Sequence, residues 1–448
     1  MTAPSGDAAD QVGRAAATAR PRLLEPWFVP FALVNGSAVG LVPILLPLVA
    51  ISYGIGHVGV VMGAFSLGAF AAPLTGSLAD RYHAYRMLAA ACAALSAASL
   101  WLFPLAGPGP QLLLALLNGA GFAGAVTVAN LLIVERRPRS EWNQRLSWLE
   151  TALSVGQGAA LVLAAWLSGL HVDTALLAAA VVPAAAVPLA FVLIPRMRPG
   201  EAPGRAGSAE IAGRPDRANH RLASAGQVGE WGPSSPSRAH HLHQRRRPFA
   251  GASALLGGGF GWMLAAWIPA YGGSAIVFAL YPVLLRAAFG VPAHTSALAF
   301  AAIVFASLPL FIVAGRVSQR RGPAAAMGGA LAARVILLTA LAVLAAAGHV
   351  SAALPLIAFA GIMFAWSFLS VASPGLTGQL APNNEGDAQG LLNACSGLAG
   401  LAGAVVGGLA ADHWGYPAAL GIGAGAVALG LCIFAATILR RTGKPDPA

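Results

Sequence analysis

Lysine is all but missing from this chain: Lys444 is the only one in 448 residues. A phosphate-binding loop ending in Gly-Lys-Ser/Thr therefore cannot be built, which removes that nucleotide site for a pump driven directly by ATP. Cysteine is nearly as scarce. Cys92, Cys395 and Cys432 each stand alone in an apolar run, so they form neither a disulfide framework nor a metal knuckle. Charge is short too: 10% of residues are charged against 57% hydrophobic, with a mean hydropathy of +0.71. That is too little polar surface for a water-soluble globule. Residues 1–26 lack the short apolar core and cleavage pattern of a secretory signal, so the first apolar segment is expected to be retained.

What the chain has instead is apolar length. A bilayer core is crossed by roughly 20 apolar residues in a helix, and runs of that length lie near 28–51, 58–79, 87–106, 111–134, 146–168, 174–195, 264–289, 294–314, 324–347, 351–373, 388–410 and 415–439. The runs are continuous and do not alternate at period two, which favours helices over a barrel. The expectation is an all-α integral membrane protein of twelve transmembrane helices.

The net charge of +11 invites thoughts of nucleic acid, but its placement speaks of topology. Of the 27 basic residues, all but Arg286 and Arg334 fall in the N-terminus, the C-terminus and the segments after helices two, four, six and eight. Those segments share one side if twelve helices alternate, and the positive-inside rule makes that side, with both termini, cytoplasmic. The expected layout is a tail at 1–26, a six-helix bundle at 27–195, a basic disordered linker at 196–250, a second bundle at 251–440 and a tail at 441–448. The linker holds ten arginines, and its His240, His241 and His243 read as part of a solvated loop sooner than as metal ligands. Abundant Arg beside one Lys suggests a GC-rich bacterial gene.

The halves repeat. GSLADRYHA after helix two corresponds to GRVSQRRGP after helix eight, pairing Gly76 with Gly315, Asp80 with Gln319 and Arg81 with Arg320. EWNQRLSWLETALSVGQG before and within helix five likewise parallels EGDAQGLLNACSGLAG in helix eleven.

On these residues the chain resembles the major facilitator superfamily of secondary transporters. GSLADRYHAYR is similar to that family's signature between helices two and three, with His83 where the family usually has Gly. The resemblance covers about 28–440 and implies two pseudo-symmetric six-helix bundles that rock about a midplane cavity. The family's efflux branch has further motifs that are incomplete here. Helix four carries Ala115 and Asn118 where that branch has Arg and Gln, and helix five has Gly156, Gln157 and Gly158 without the proline.

The implied activity is export of a small organic compound, a drug or metabolite, across the cytoplasmic membrane by alternating access with proton exchange. Uptake by uniport or symport is the alternative, and an intramembrane enzyme a remote one. No cofactor, metal or nucleic acid is expected; the partners are lipid, a small-molecule substrate and protons, and the protein is expected to be monomeric.

Ionisable groups inside a membrane are costly and so are functional candidates. Glu150, just inside helix five, is the candidate proton carrier, with pairing to Arg145 or Arg139 as its structural alternative. Candidate cavity residues are Asn35, Asn118, Asn130, Gln157, Tyr271, Tyr281, Arg286, Trp366 and Asn393, although Tyr and Trp also anchor at interfaces and Asn also joins helices. Arg334, deep in helix nine, is expected to find a carbonyl or acid partner. The resemblance further implies a gate of Gly76, Asp80, Arg81 and Arg86 with Arg136 or Arg137, in which Asp80 meets the start of helix eleven near Asp387–Gly390. Gly315, Gln319 and Arg320 make the counterpart, in which Gln319 can hydrogen-bond but brings no charge where Asp80 does.

Overall fold

A computed structural model describes residues 25–136, 139–195, 256–348, 351–381 and 385–439. The expected tails (but for Glu25, Pro26 and the last bundle residues), the basic linker with its histidines, and Arg137 lie outside the described residues. So do the side chains of Asp80, Arg139 and Asp387.

Helix α1 spans Phe28–Tyr53 and α2 runs Ile55–Leu67, then through a tight turn at Gly68–Phe70 into Ala71–Tyr82. There follow α3 (Tyr85–Leu102), α4 (Pro108–Arg136), α5 (Arg139–Leu167) and α6 (Val172–Ala179 with Val181–Leu193). The second set comprises α7 (Gly259–Phe289), α8 (Ala293–Arg321), α9 (Pro323–Ala347) and α10 (Ala353–Leu380). The last apolar segment covers 52 residues. At 1.5 Å per residue one helix of that length would measure about 78 Å, over twice a ~30 Å bilayer core. Gly415, at φ 82 and ψ 170, breaks it, giving α11 (385–414) and α12 (416–434). The fold is thus all-α with twelve membrane-crossing helices among the described residues. Its outer surface fits lipid: Trp166 and Trp414 are 71% exposed and Val192 75%, groups that water would penalise and acyl chains accept.

The turn between α2 and α3 is the hinge on which the sequence signature lies. α2 ends on His83, which takes a left-handed conformation (φ 51, ψ 28) and donates its backbone N–H to Ala79 O at 2.8 Å. A Gly would do this without steric cost, so the departure from the family pattern falls on the one non-glycine residue with positive φ among those described.

The two sets of helices meet through α1 with α7, α2 with α11, and α5 with α8. Adding six to each number turns the pair α2/α11 into α8/α5, as an internal duplication requires. These contacts are tight at the end away from the hinge. A side chain on Gly408 would come within 2.7 Å of Gly59 Cα, and one on Gly63 within 2.8 Å of Leu401. Toward the hinge the packing fades. The Ala71–Tyr82 stretch of α2 packs chiefly on α4 and touches α3, while α4 and α10 take their main neighbours from their own sets. Built side chains on Gly315 and Gly390 would meet nothing within 4 Å. Among the described residues, the contacts between the halves are tight at the end away from the hinge and sparse toward it.

Candidate functional site

Depth within the helices selects the candidates. At 1.5 Å per residue, Glu150 on α5 and Asn393 on α11 lie about 8 Å inside the apolar spans of their helices, whereas Tyr271 on α7 and Trp366 on α10 lie about 18–20 Å in, near mid-bilayer. Secondary transporters bind substrate at this level.

The best-built group is an aromatic corner on α7 and α10. Trp267 and Tyr271, one turn apart on α7, have ring centroids 5.7 Å apart; Tyr271 meets Trp366 edge-on at 5.8 Å, and the two indoles are 6.4 Å apart. Trp267 donates its indole N–H to Ser396 Oγ on α11 at 2.7 Å, and Ser396 donates in turn to Leu392 O at 2.8 Å. Behind Trp366 stands Arg334 from α9, 1% exposed, its guanidinium carbon 5.1 Å from the ring centroid. It donates to Ser274 Oγ at 2.7 Å and to Ile362 O at 3.4 Å. The arginine thus has the carbonyl partner its depth demands, together with a hydroxyl and an aromatic face.

Tyr271 and Trp366 are therefore brought together, and Asn393 sits one turn from Ser396 on the same helix, half-buried. Sequence reading passed over Trp267, Ser274 and Ser396. The four-residue spacing of Trp267 and Tyr271, which puts both on one helical face, was the available signal for the first.

Asn35 and Gln157 are both buried in the seam between α1 and α5. Asn35 Nδ2 donates to Leu153 O at 2.9 Å, and Gln157 Nε2 donates to Val39 O at 3.3 Å. Val39 lies in a π-turn, Ser37–Leu41, that widens α1. A π-turn loosens the regular backbone bonding, and Gln157 supplies one of its carbonyls with a donor. Both amides tie helices together in this state. Close packing allows it: a side chain on Gly36 would lie 2.5 Å from Gly156 O.

Glu150 is partly accessible, with no hydrogen bond or ion pair among the described residues. Arg145, expected as its alternative partner, is instead 2.9 Å from Glu25, whose other oxygen accepts the Trp27 indole N–H at 2.5 Å. The sequence reading missed Glu25. Glu150 lies on a strip with Ser154 and Gly158; Gly158 abuts the Phe305 ring of α8, so the strip runs toward the other half.

Other candidates are spent elsewhere. Asn118 donates to Ser96 O at 3.1 Å and Ser99 Oγ at 3.2 Å, joining α4 to α3. Tyr281 is fully buried, bonded through its hydroxyl to Ser296 O at 2.8 Å and packed 4.1 Å from the Phe359 ring. Arg286 is exposed at the last turn of α7. Asn130 is buried on α4 and makes no hydrogen bond among the described residues.

At the hinge, Arg86 reaches the carbonyl of Ile194, donating from Nε at 2.9 Å and also from Nη2. It is a cation on the end of α6, where free carbonyls and the helix dipole favour one. Arg81 is exposed, over the Tyr82 ring at 5.4 Å. A side chain on Gly76 would lie 3.6 Å from Thr127, Arg136 is half-buried at the end of α4, and Gln319 and Arg320 are exposed beyond Gly315.

The sequence matches the family described as the Major Facilitator Superfamily over residues 28–275 and 270–448. No curated protein matches it. Among solved structures, it is similar to the nucleoside transporter NupG at 14% identity and TM-score 0.66, covering 94% of this chain and 98% of that one. A bacterial homolog of the human lysosomal transporter Spinster, inward-facing and occupied, is similar at 13% identity and TM-score 0.65, again over 94% and 98%. The human organic anion transporter MFSD10 is similar at 18% identity and TM-score 0.56, over 91% and 98%. At these identities the likeness is one of fold, but the family match spans nearly all of the sequence: the chain belongs to the Major Facilitator Superfamily.

Proposed function

We propose that this membrane transporter exports a small organic compound across the cytoplasmic membrane in exchange for protons, by alternating access, and that the structure is its inward-open state. The observation that carries this reading is the one-ended packing of the halves: Gly59 against Gly408 and Gly63 against Leu401 at one end, and open space about Gly315 and Gly390 at the other. The clustering of basic residues at the hinge end supports reading that end as cytoplasmic. A similar fold solved in an inward-facing conformation agrees with this state.

In this reading Glu150 is the proton carrier. It is a carboxylate inside the apolar span of α5, partly accessible, with no cation paired to it among the described residues, so its charge can be exchanged for a proton as the cleft changes sides. The basic residue nearest in sequence, Arg145, is engaged by Glu25.

The test uses inside-out membrane vesicles with an acid lumen and a lumenal pH dye, screened against small organic compounds. An exporter of this kind releases protons when its substrate is added, and Glu150→Gln removes the proton signal while substrate still binds. Accumulation that is unchanged when the proton gradient is collapsed contradicts exchange; transport only in the opposite direction would establish the uptake alternative that the incomplete efflux motifs favour.

A further inference from the structure

The second half contains two aromatic clusters of opposite character. In the first, Tyr281, Phe300 and Phe359 are closed on one another, at 5.2 Å, 4.1 Å and 5.3 Å between centroids, and the tyrosine hydroxyl is satisfied. That is packing. In the second, Trp267, Tyr271 and Trp366, the tyrosine is partly accessible and the indole N–H of Trp366, a residue only 9% exposed, has no hydrogen-bond partner among the described residues. A buried donor left unused is rare in a finished core.

We propose that this second corner is a stacking site for a flat aromatic or heteroaromatic ring of the transported solute, neutral or anionic and not cationic. Arg334 is its positioning residue, fixing Trp366 from behind. The inference rests on the transporter reading above and adds the substrate class.

Three observations converge. The walls are set before a ligand arrives: Ser396 holds Trp267, while Ser274 and the Ile362 carbonyl hold the guanidinium that covers Trp366. A ring entering between fixed walls pays little ordering cost, and offset or edge contacts with such rings are favourable. A side chain on Gly400 of α11 would lie 3.5 Å from the Tyr271 ring and 3.4 Å from Ser66 of α2, so α11 and α2 together fix the edge of the tyrosine. Finally, aromatic cages bind cations by the negative faces of their rings. Here one face of Trp366 is already committed to Arg334, so a second cation on the corner meets a depleted ring and a like charge in a low-dielectric interior. A ring acceptor or a carboxylate is favoured by the same arrangement, and the free N–H of Trp366 offers it a donor.

The experiment measures equilibrium binding to the full-length protein in lipid nanodiscs of tryptophol, indole-3-acetate and tryptamine, which share one ring and differ in charge, with cyclohexylacetate as a non-flat anion. The neutral and anionic indoles are expected to bind at least tenfold more tightly than tryptamine or cyclohexylacetate, and Trp366→Ala to weaken them tenfold or more. Arg334→Gln should bring the tryptophol-to-tryptamine ratio to within twofold, and Arg334→Lys should restore it; a merely structural role would weaken all probes alike and leave the ratio. Ser274→Ala, which loosens the guanidinium without removing it, should cut the ratio severalfold and serves if Arg334→Gln does not fold.

Failure of every probe to bind, equal binding of tryptamine and tryptophol, or indifference to Trp366→Ala overturns the ring site. Proton-linked flux of a solute that Trp366→Ala leaves unchanged overturns it too, with the transporter reading intact. Selective ring binding without flux of any probe under any gradient sustains the ring site and overturns the coupling instead.

Discussion

Gly59 of α2 and Gly408 of α11 face each other across the two halves so closely that a side chain on Gly408 would lie 2.7 Å from Gly59 Cα. Backbones approach this nearly only where both residues are small. A leucine at position 59 must hold the pair apart, and forcing extra volume into such a contact costs about 1–3 kcal/mol. Gly59→Leu should therefore lower transport more than tenfold and populate the state open at that end. In a background lacking the native cysteines, a Ser66→Cys reporter, buried beside Gly400, should become reactive to a membrane-impermeant thiol reagent added from outside. An unreactive reporter with normal transport would mean that this contact is not a gate.

The hinge end should be asymmetric. If Asp80 docks on the start of α11 when that end closes, the carboxylate gains from helix-end amides and dipole, about 0.3–1 kcal/mol at an exposed terminus and up to ~2 when partly buried. Gln319, its counterpart, is exposed and carries no charge. Asp80→Asn is expected to slow turnover five- to tenfold and Gln319→Ala to change it less than twofold. Equal effects in steady-state flux would remove the asymmetric latch.

His83 holds a left-handed conformation that costs an L-residue roughly 1–2 kcal/mol. His83→Gly should recover part of this, about 1 kcal/mol, as a higher melting temperature in detergent, whereas His83→Val should lower it. A drop on His83→Gly would show that its edge contact with Tyr85, 6.4 Å between centroids, outweighs the backbone strain.

The buried Glu25–Arg145 pair joins the start of α1 to α5. Breaking a largely buried ion pair by removing one partner costs up to about 3–5 kcal/mol. Glu25→Gln and Arg145→Met should each lower thermal stability markedly, and the double variant less than the sum of the two. Additive losses would mean that the two side chains act independently.

The helices were largely legible in the sequence, and their rotations were not. Apolar runs located all twelve spans, but they missed helix ends that project beyond the bilayer. α5 begins at Arg139, seven residues before its apolar run, and α8 continues to Arg321, seven beyond; polar residues there stay helical while leaving the hydropathy signal. Rotation is harder for a physical reason. In water the core face is the apolar one, whereas a membrane helix is apolar toward lipid and protein alike. Depth could be read for Tyr271, Tyr281, Asn118 and Trp366, but nothing distinguished the two that meet on α7 and α10 from the two turned into helix contacts. Glu25, two residues before Trp27, carries no periodic signal at all, and only the fold places it against Arg145.

Alternating access makes one demand that no static packing arrangement shares: the two ends must move oppositely. Spin labels on Arg81 and Gln319 at the hinge end, and on Tyr53 and Trp414 at the other, all exposed positions, report both ends by electron–electron distance measurements in nanodiscs across pH. The account predicts that conditions shortening the Arg81–Gln319 distance lengthen the Tyr53–Trp414 distance. Distances that stay fixed, or that change in the same direction while transport continues, would contradict it.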